Sequence, residues 1–346
     1  MSISTVIIVG GGPAGCAAAY ALAKGSINVI VFERGQPGRD KTCGDTLVPS
    51  ATELVSLFGI NQERIKALGG YCYNRINLCV DKLLVRELEY KNKAGWVIPR
   101  STIDQEIRNV VAEFASFQYE TCVTDLETKP MGSLKVSLRY KDGASNQIEC
   151  AAVILATGSM TRLSKKLGID GKPRKAFAIS MYVEIQQTDA LMFQFLDSCE
   201  PGYRWVFPIS EKVANIGVCV LDEKPKANLR SLGEELLREH HANPLGRWRG
   251  GWEPLWSGLG QYWHHSSGVV SCGDAAGLVN PYLGEGITAA LRSGEEAGKA
   301  ISRYLLGKRD TIKLEEYSKW IVKHFSRQYR LTPSLQFWND LCGIRK

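Results

Sequence analysis

The sequence predicts an α/β protein built from a Rossmann-like dinucleotide-binding domain, a second, mostly antiparallel β-sheet domain and a C-terminal helical segment. Three observations carry this expectation. A G-x-G-x-x-G turn, formed by Gly10, Gly12 and Gly15, follows a short apolar run. Two later apolar runs stop on glycine turns, at Thr157-Gly158 and at Gly273-Asp274. Between them, short strand-like runs such as Ala176 to Gln186 alternate with turn residues.

The first element requires a choice. Val6 to Ala23 holds no charged residue, and hydropathy alone would make it a signal or a membrane anchor. Met1 to Thr5 carry no basic residue, however, and three glycines followed by a proline specify a turn rather than a spanning helix. The stretch therefore divides into a buried strand over Thr5 to Val9, a turn over Gly10 to Gly15, and a helix of small residues over Ala14 to Ala23. Gly10 permits the tight turn, Gly12 leaves bare backbone for a pyrophosphate, and Gly15 lets the helix pack on the strand. Pro13 and Ala14 complete the cradle. The next strand, Val29 to Phe32, ends at Glu33, 18 residues after Gly15, where an acid can hold a ribose hydroxyl pair; Arg34 follows it as a further cofactor-side candidate.

Composition agrees with a globular enzyme. The 346 residues suffice for about two domains, and 44% hydrophobic with 23% charged residues is ordinary usage. Ten scattered cysteines without a C-x-x-C pair read as reduced thiols in a cytoplasmic protein. No metal site is expected, because His240-His241 and His264-His265 lack a third ligand at metal spacing. The net charge of +7 concentrates at the end of the chain, where Arg303 to Lys346 hold ten Lys or Arg against four Asp or Glu. An amphipathic helix over Lys313 to Arg330 is expected there, with Leu314, Tyr317, Trp320, Ile321 and Phe325 on one face. Its basic face reads first as solvated and second as a docking surface for an anionic membrane or an acidic protein. No nucleic-acid motif accompanies the charge.

The two later strands define the cofactor. Ala151 to Ser159 is a buried strand ending at Ala156, Thr157 and Gly158, where a ligand can pass close to the backbone. Gly268 to Gly294 is a strand ending at Gly273-Asp274, a loop through Pro281, and a helix starting near Gly284, with Gly286 and Ile287 at its entrance. An aspartate at a strand end can accept bonds from ribityl hydroxyls, which nicotinamide dinucleotides lack, and a helix N-terminus favours the negative N1 and C2=O edge of a reduced flavin. Together these segments favour FAD over NAD.

From here the chain resembles the FAD-dependent geranylgeranyl reductases, within the group that includes aromatic hydroxylases and flavin-dependent halogenases. The likeness runs to about Leu306. It rests on the Gly10 turn, on Cys43 to Ala51 as the family's Cys-Gly segment beside the flavin, on Arg100 and Asp104 as its Arg-x-x-x-Asp motif, and on the Gly273 to Gly286 segment. The resemblance implies an FAD domain of the GR2 type. It places Cys43, Gly44 and Arg100 at the cofactor, and Cys43 reads equally as a redox or proton-donating thiol and as a tight packing position.

The segment Tyr203 to Cys219 is similar to the reductases' substrate-cavity motif, Tyr-x-Trp-x-Phe-Pro followed by Gly-x-Gly. Tyr203, Trp205 and Phe207 alternate along a strand that ends at Pro208, so they share one face and can wall a pocket above the flavin; the alternative is an ordinary sheet core. Gly217 is kept, but Cys219 stands where the family has its second glycine, which narrows the expected cavity. Five of the eight tryptophans, Trp205, Trp248, Trp252, Trp256 and Trp263, fall in this region, some for the pocket and most for the core.

The expected organisation is a discontinuous FAD domain over 1–70, 96–165 and 268–302, a substrate-binding sheet domain over 71–95 and 166–267, and a basic helical segment over 303–346. Three functions stand open. The first is an NAD(P)H-driven flavin monooxygenase that hydroxylates an apolar or aromatic group, where the protein excludes water and orients substrate. The second is the family's own hydride transfer from reduced FAD to a C=C bond of a prenyl substrate, with a thiol or water supplying the proton. Halogenation and desaturation lie behind these. The third, of another class, is a non-catalytic flavoprotein that binds an acidic protein or membrane. No second G-x-G-x-x-G unit serves nicotinamide, so NAD(P)H binds transiently without its own domain, or a separate reductase supplies electrons. The substrate, small or protein-borne, is not specified.

Overall fold

A computed structural model describes residues 5–330 apart from 26, 91–93, 130–132, 161, 170, 187–188, 200–201 and 223–227. Residues 331–346, the end of the expected basic segment, lie outside the described residues. Strands are numbered β1 to β19 and helices α1 to α8 in chain order.

A five-stranded parallel sheet forms the centre, in the order β19 (Val269–Ser271), β12 (Ala152–Leu155), β1 (Val6–Val9), β2 (Val29–Phe32), β8 (Ser116–Gln118). The sheet is buried on both faces, which explains why β1 reads as a continuous apolar run. Val6 and Ile8 face α1 (Pro13–Ala23), α4 (Arg100–Val111) and α7 (Ile287–Leu306). Ile7 and Val9 face a meander of β9 (Thr121–Thr128), β10 (Leu134–Tyr140) and β11 (Ser145–Cys150). Helix α5 (Arg162–Lys166) buries Leu163 against this meander.

Helices α1 and α7 touch at backbone distance because both present small residues. A Cβ on Gly294 would stand 2.1 Å from the Ala14 carbonyl oxygen, and one on Gly298 2.5 Å from that of Ala18. Helix α8 (Ile312–Arg330) then lays Leu314, Tyr317, Ile321, Phe325 and Tyr329 on the same core. Tyr317 Oη donates to the Ser271 carbonyl at 2.8 Å and Tyr329 Oη to that of Leu278 at 2.7 Å, so α8 is anchored at both of its ends. Lys319, Lys323 and Arg327 are exposed at four-residue spacing on its other side.

The second large sheet runs β17 (Asn243–Pro244), β13 (Arg174–Glu184), β16 (Val213–Val220), β15 (Gly202–Pro208), β14 (Leu191–Phe195), β5 (Arg75–Val80), β6 (Leu83–Glu89), with β18 (Arg249–Leu255) also on β13. Its pairs are antiparallel except β14 with β5. One face is covered by α6 (Leu229–Glu239), and the other packs against Tyr73, Val97 and Val279. A small sheet of β3 (Thr46–Leu47), β7 (Gly95–Val97) and β4 (Tyr71–Tyr73), flanked by α2 (Pro49–Ser56) and α3 (Gln62–Ala67), joins the two. Cys43 to Asp45 lie in this junction.

The tryptophans divide by their surroundings. Trp205 faces the junction, and Trp256 is buried between Tyr262, Phe325 and Tyr329 beneath α8. Trp248 lies against Gly233 of α6 and donates to Glu234, while Trp252 is exposed beside Phe177.

Candidate active site

The turn after β1 is built as a cradle. Gly10 holds φ at +109°, and a Cβ there would meet the Ala156 carbonyl oxygen at 2.2 Å. A Cβ on Gly15 would stand 1.9 Å from the Gly10 carbonyl oxygen, so both positions exclude any side chain. Gly12 differs: a Cβ there would meet nothing within 4 Å, which leaves its backbone facing open space at the entrance to α1. Thr157 and Gly158 follow β12 beside this cradle, Gly158 at φ +69°. Pro13 and Ala14 open α1, and Gly273 comes within contact of Ala14.

Glu33 is almost fully buried at the end of β2. Its carboxylate accepts from the Gly11 N–H at 2.9 Å, the Gly35 N–H at 2.8 Å and Arg39 Nε at 3.1 Å. Burial pushes this group up, but Arg39 and the two backbone donors outweigh it and hold Glu33 below the usual carboxylate range. Arg34 points away from Glu33 and meets Met160 at the surface. Arg108 of α4 was not expected. Its Nε donates to the Gly11 carbonyl at 2.8 Å, and its Nη2, although buried, has no hydrogen-bond partner among the described residues.

A connected polar network holds the Cys43 loop. Arg100 forms a buried two-pronged pair with Asp104, both contacts at 2.8 Å, one turn apart on α4. Asp45, at φ +62° and buried, accepts from the Arg100 N–H, Tyr182 Oη and Asn215 Nδ2. Burial pushes its carboxyl up to about 6 despite these three donors. Asn215 Nδ2 also donates to the Cys43 carbonyl at 2.7 Å. The Cys43 thiol lies beside Arg100, and burial raises it against the pull of that guanidinium, so it is held as a thiol.

The aromatic wall stands directly over this loop. Tyr203, Trp205 and Phe207 lie on one face of β15, with Trp205 and Phe207 stacked at 6.0 Å and Phe193 of β14 5.0 Å from Phe207. A Cβ on Gly44 would meet the Phe207 ring at 2.8 Å, so only glycine fits between loop and wall. Trp205 pairs across the strands with Gly217, where a Cβ would collide with the indole at 2.1 Å. Cys219 pairs with Tyr203 on one side and Ala178 on the other and is buried in the same cluster. Pro208 ends the strand.

Asp274 closes the opposite side. Lys41 Nζ reaches its Oδ2 at 2.8 Å, and the carboxylate raises the lysine. Asn280 accepts from Tyr282 and Leu283 N–H, shaping the turn after Pro281 that brings Gly284 to φ +65°. That positive φ explains why α7 starts at Ile287 rather than near Gly284. Gly286 lies against Asp274 Oδ1.

The FAD binding domain family matches residues 4–327, nearly the whole described chain. The chain belongs to that family. It is 28% identical over 317 residues to a menaquinone reductase of Mycolicibacterium smegmatis, covering 86% of this chain and 76% of the relative. It is 26% identical over 349 residues to a digeranylgeranylglycerophospholipid reductase of Methanocaldococcus jannaschii, covering 94% and 82%. Among solved structures, a geranylgeranyl bacteriochlorophyll reductase-like protein of Thermoplasma acidophilum superposes with a TM-score of 0.83 at 20% identity, over 94% of this chain and 85% of that one. A myxobacterial FAD-dependent halogenase superposes at 0.79 and 18% identity, over 96% and 82%. The protein is an FAD-dependent oxidoreductase.

The residues present fit FAD. The open face of Gly12 and the unpartnered Arg108 Nη2 converge on the cradle where a pyrophosphate would lie. Glu33, Asp274 and the α7 entrance at Gly286 and Ile287 would hold the adenosine ribose, the ribityl chain and the flavin's electronegative edge. Sequence reading missed Arg108, Asp45, Tyr182, Asn215 and Phe193. Arg108 sits two helical turns beyond Arg100, a signal that could have been found. The others come from separate strands, and only the fold brings them to Cys43.

Proposed function

We propose that this FAD-dependent oxidoreductase reduces a carbon–carbon double bond of an apolar, isoprenoid-type substrate that reaches the Cys43 thiol alongside the aromatic wall. The observation that carries this reading is the Cys43 thiol, raised by burial and set beside the buried Arg100 guanidinium, on a loop whose next residue, Gly44, packs against Phe207 and Trp205. When bound, FAD supplies the hydride. Cys43 Sγ holds a proton for the second carbon of the double bond, Arg100 offsets the charge of the resulting thiolate, and water restores the proton. Tyr203, Trp205 and Phe207 orient the chain and exclude water. The names of the relatives, reductases of menaquinone and of a geranylgeranyl lipid, support a reductive reaction on such a substrate. NAD(P)H is the proposed reductant. Action from the cytoplasmic side of an anionic membrane, with Lys319, Lys323 and Arg327 toward the lipid, belongs to the same proposal.

One observation favours hydroxylation instead. Trp205 covers Gly217, and Cys219 is buried in the wall, which suits a compact apolar or aromatic substrate better than a long chain.

Anaerobic incubation of the reduced enzyme with a geranylgeranyl lipid separates the two. Reduction gives a product two hydrogens heavier, a rate that Cys43→Ala lowers at least tenfold, and longer chains accepted by Cys219→Gly. Absence of anaerobic turnover, with label from oxygen in the product under air, would establish the hydroxylase.

A further inference from the structure

Glu253 is a carboxylic acid that neither reaction uses. It stands on β18 opposite Ala176 of β13. Its Oε2 lies 3.0 Å from where a Cβ would stand on Gly284, and Tyr203 Oη lies 3.5 Å from the same point. The carboxyl therefore lies against the turn ahead of α7, within electrostatic reach of Tyr203 in the aromatic wall. Facing it are Asp274 after β19, Lys41 from the Cys43 loop, Arg100 from α4, Cys219 from β16 and Tyr203 from β15. No described residue donates a hydrogen bond to it.

The charges around Glu253 do not balance. Arg100 is committed to Asp104, and Lys41 to Asp274, so among the described residues the second carboxyl has no cation of its own. FAD held by Asp274 and the α7 entrance gains a negative charge on reduction, against an acid already short of compensation.

We propose that Glu253 takes up a proton when the bound FAD is reduced, so that reduction consumes two protons per electron pair rather than one. Hydride from a reduced nicotinamide converts FAD to its anionic dihydro form, and a proton from water forms the O–H bond of Glu253. The net charge of the site is then the same before and after. Burial pushes the Glu253 carboxyl up to about 7 against the pull of Lys41 and Arg100, with Asp274 adding to the rise, so little further negative charge is needed to protonate it near neutral pH. The proposal rests on FAD binding alone and holds whether a double bond is reduced or oxygen activated.

Potentiometric titration of the FAD holoenzyme between about pH 7 and 8.5 tests it. For a two-electron couple each proton contributes about 30 mV per pH unit, the equivalent of a tenfold change. The wild type is expected to fall by about 60 mV per pH unit and Glu253→Gln by about 30. Glu253→Asp, which keeps a carboxyl, should keep the steeper slope. A wild-type slope of about 30 overturns the proposal, as does an equal slope in wild type and Glu253→Gln, since the proton would then reside elsewhere. If Glu253→Gln loses FAD, the reduced-minus-oxidised infrared spectrum of the wild type decides. A new protonated-carboxyl stretch supports the proposal, and its absence overturns it.

Discussion

Trp205 Nε1 donates a hydrogen bond to Asn215 Oδ1 at 3.0 Å, and the amide of that asparagine reaches both the Cys43 carbonyl and Asp45 Oδ2 at 2.7 Å. One buried side chain on β16 thus ties the aromatic wall to the loop that carries the thiol. The position of Cys43 relative to the wall is set by this amide rather than by contact between the thiol and the rings.

Asn215→Leu keeps the volume and removes the amide. Trp205 Nε1 and the Cys43 carbonyl then lose a buried partner, and Asp45 loses one of its three donors. At about 1–3 kcal/mol for each buried polar group left unsatisfied, the variant should lose about 3 kcal/mol or more of unfolding free energy. Urea denaturation of the wild type and variant measures this. A loss below about 1 kcal/mol would show that the network does not hold the loop.

Asp45 gives the protein a pH-dependent stability. Burial raises its folded-state carboxyl from 3.8 to about 6, so the native state binds its proton more tightly than the unfolded chain does. The Asp45 contribution to stability is therefore full below about pH 4 and falls as pH rises toward 6, by an amount on the order of 3 kcal/mol at about 1.4 kcal/mol per unit. Glu253 adds a decline of the same sign toward pH 7. Asp45→Asn should remove the portion between pH 4 and 6 whatever its effect on absolute stability. The difference between wild-type and variant unfolding curves across that range isolates the term, and a constant difference would rule it out.

Gly12 and Gly15 should separate cofactor binding from folding. A Cβ at Gly12 meets no described residue within 4 Å, whereas one at Gly15 meets the Gly10 carbonyl oxygen at 1.9 Å. Gly12→Val should fold with near-wild-type stability and lose the yellow colour of bound FAD, because the branch occupies the approach of the pyrophosphate. Gly15→Val should lose several kcal/mol of stability as the helix is forced off β1. Absorbance and thermal unfolding of the two variants decide, and FAD retained by Gly12→Val would refute the cradle.

Much of this was legible in the chain because its causes are local. The strand, turn and helix around Gly10 follow from glycine spacing and an apolar run, and the single-faced wall follows from the two-residue period of β15. The apolar stripe of α8 likewise predicts its packed face, with Leu314, Tyr317, Ile321 and Phe325 in the core. These readings need only neighbours in sequence. Cys43-Gly44 and Arg100 were legible as motifs, but not as neighbours of one another.

Tertiary structure alone decided what surrounds them. Asp45 lies two residues after Cys43 in sequence yet carries no pattern; its charge state follows from burial under Tyr182, Asn215 and the start of α4, which come from three separate elements. Glu253 reads as one exposed-looking acid between Trp252 and Pro254, and only the pairing of β18 with β13 places it against Gly284 and within electrostatic reach of Tyr203. The reason is physical: backbone conformation and periodicity depend on adjacent residues, whereas desolvation and electrostatic coupling depend on which distant segments the sheets bring within a few ångströms.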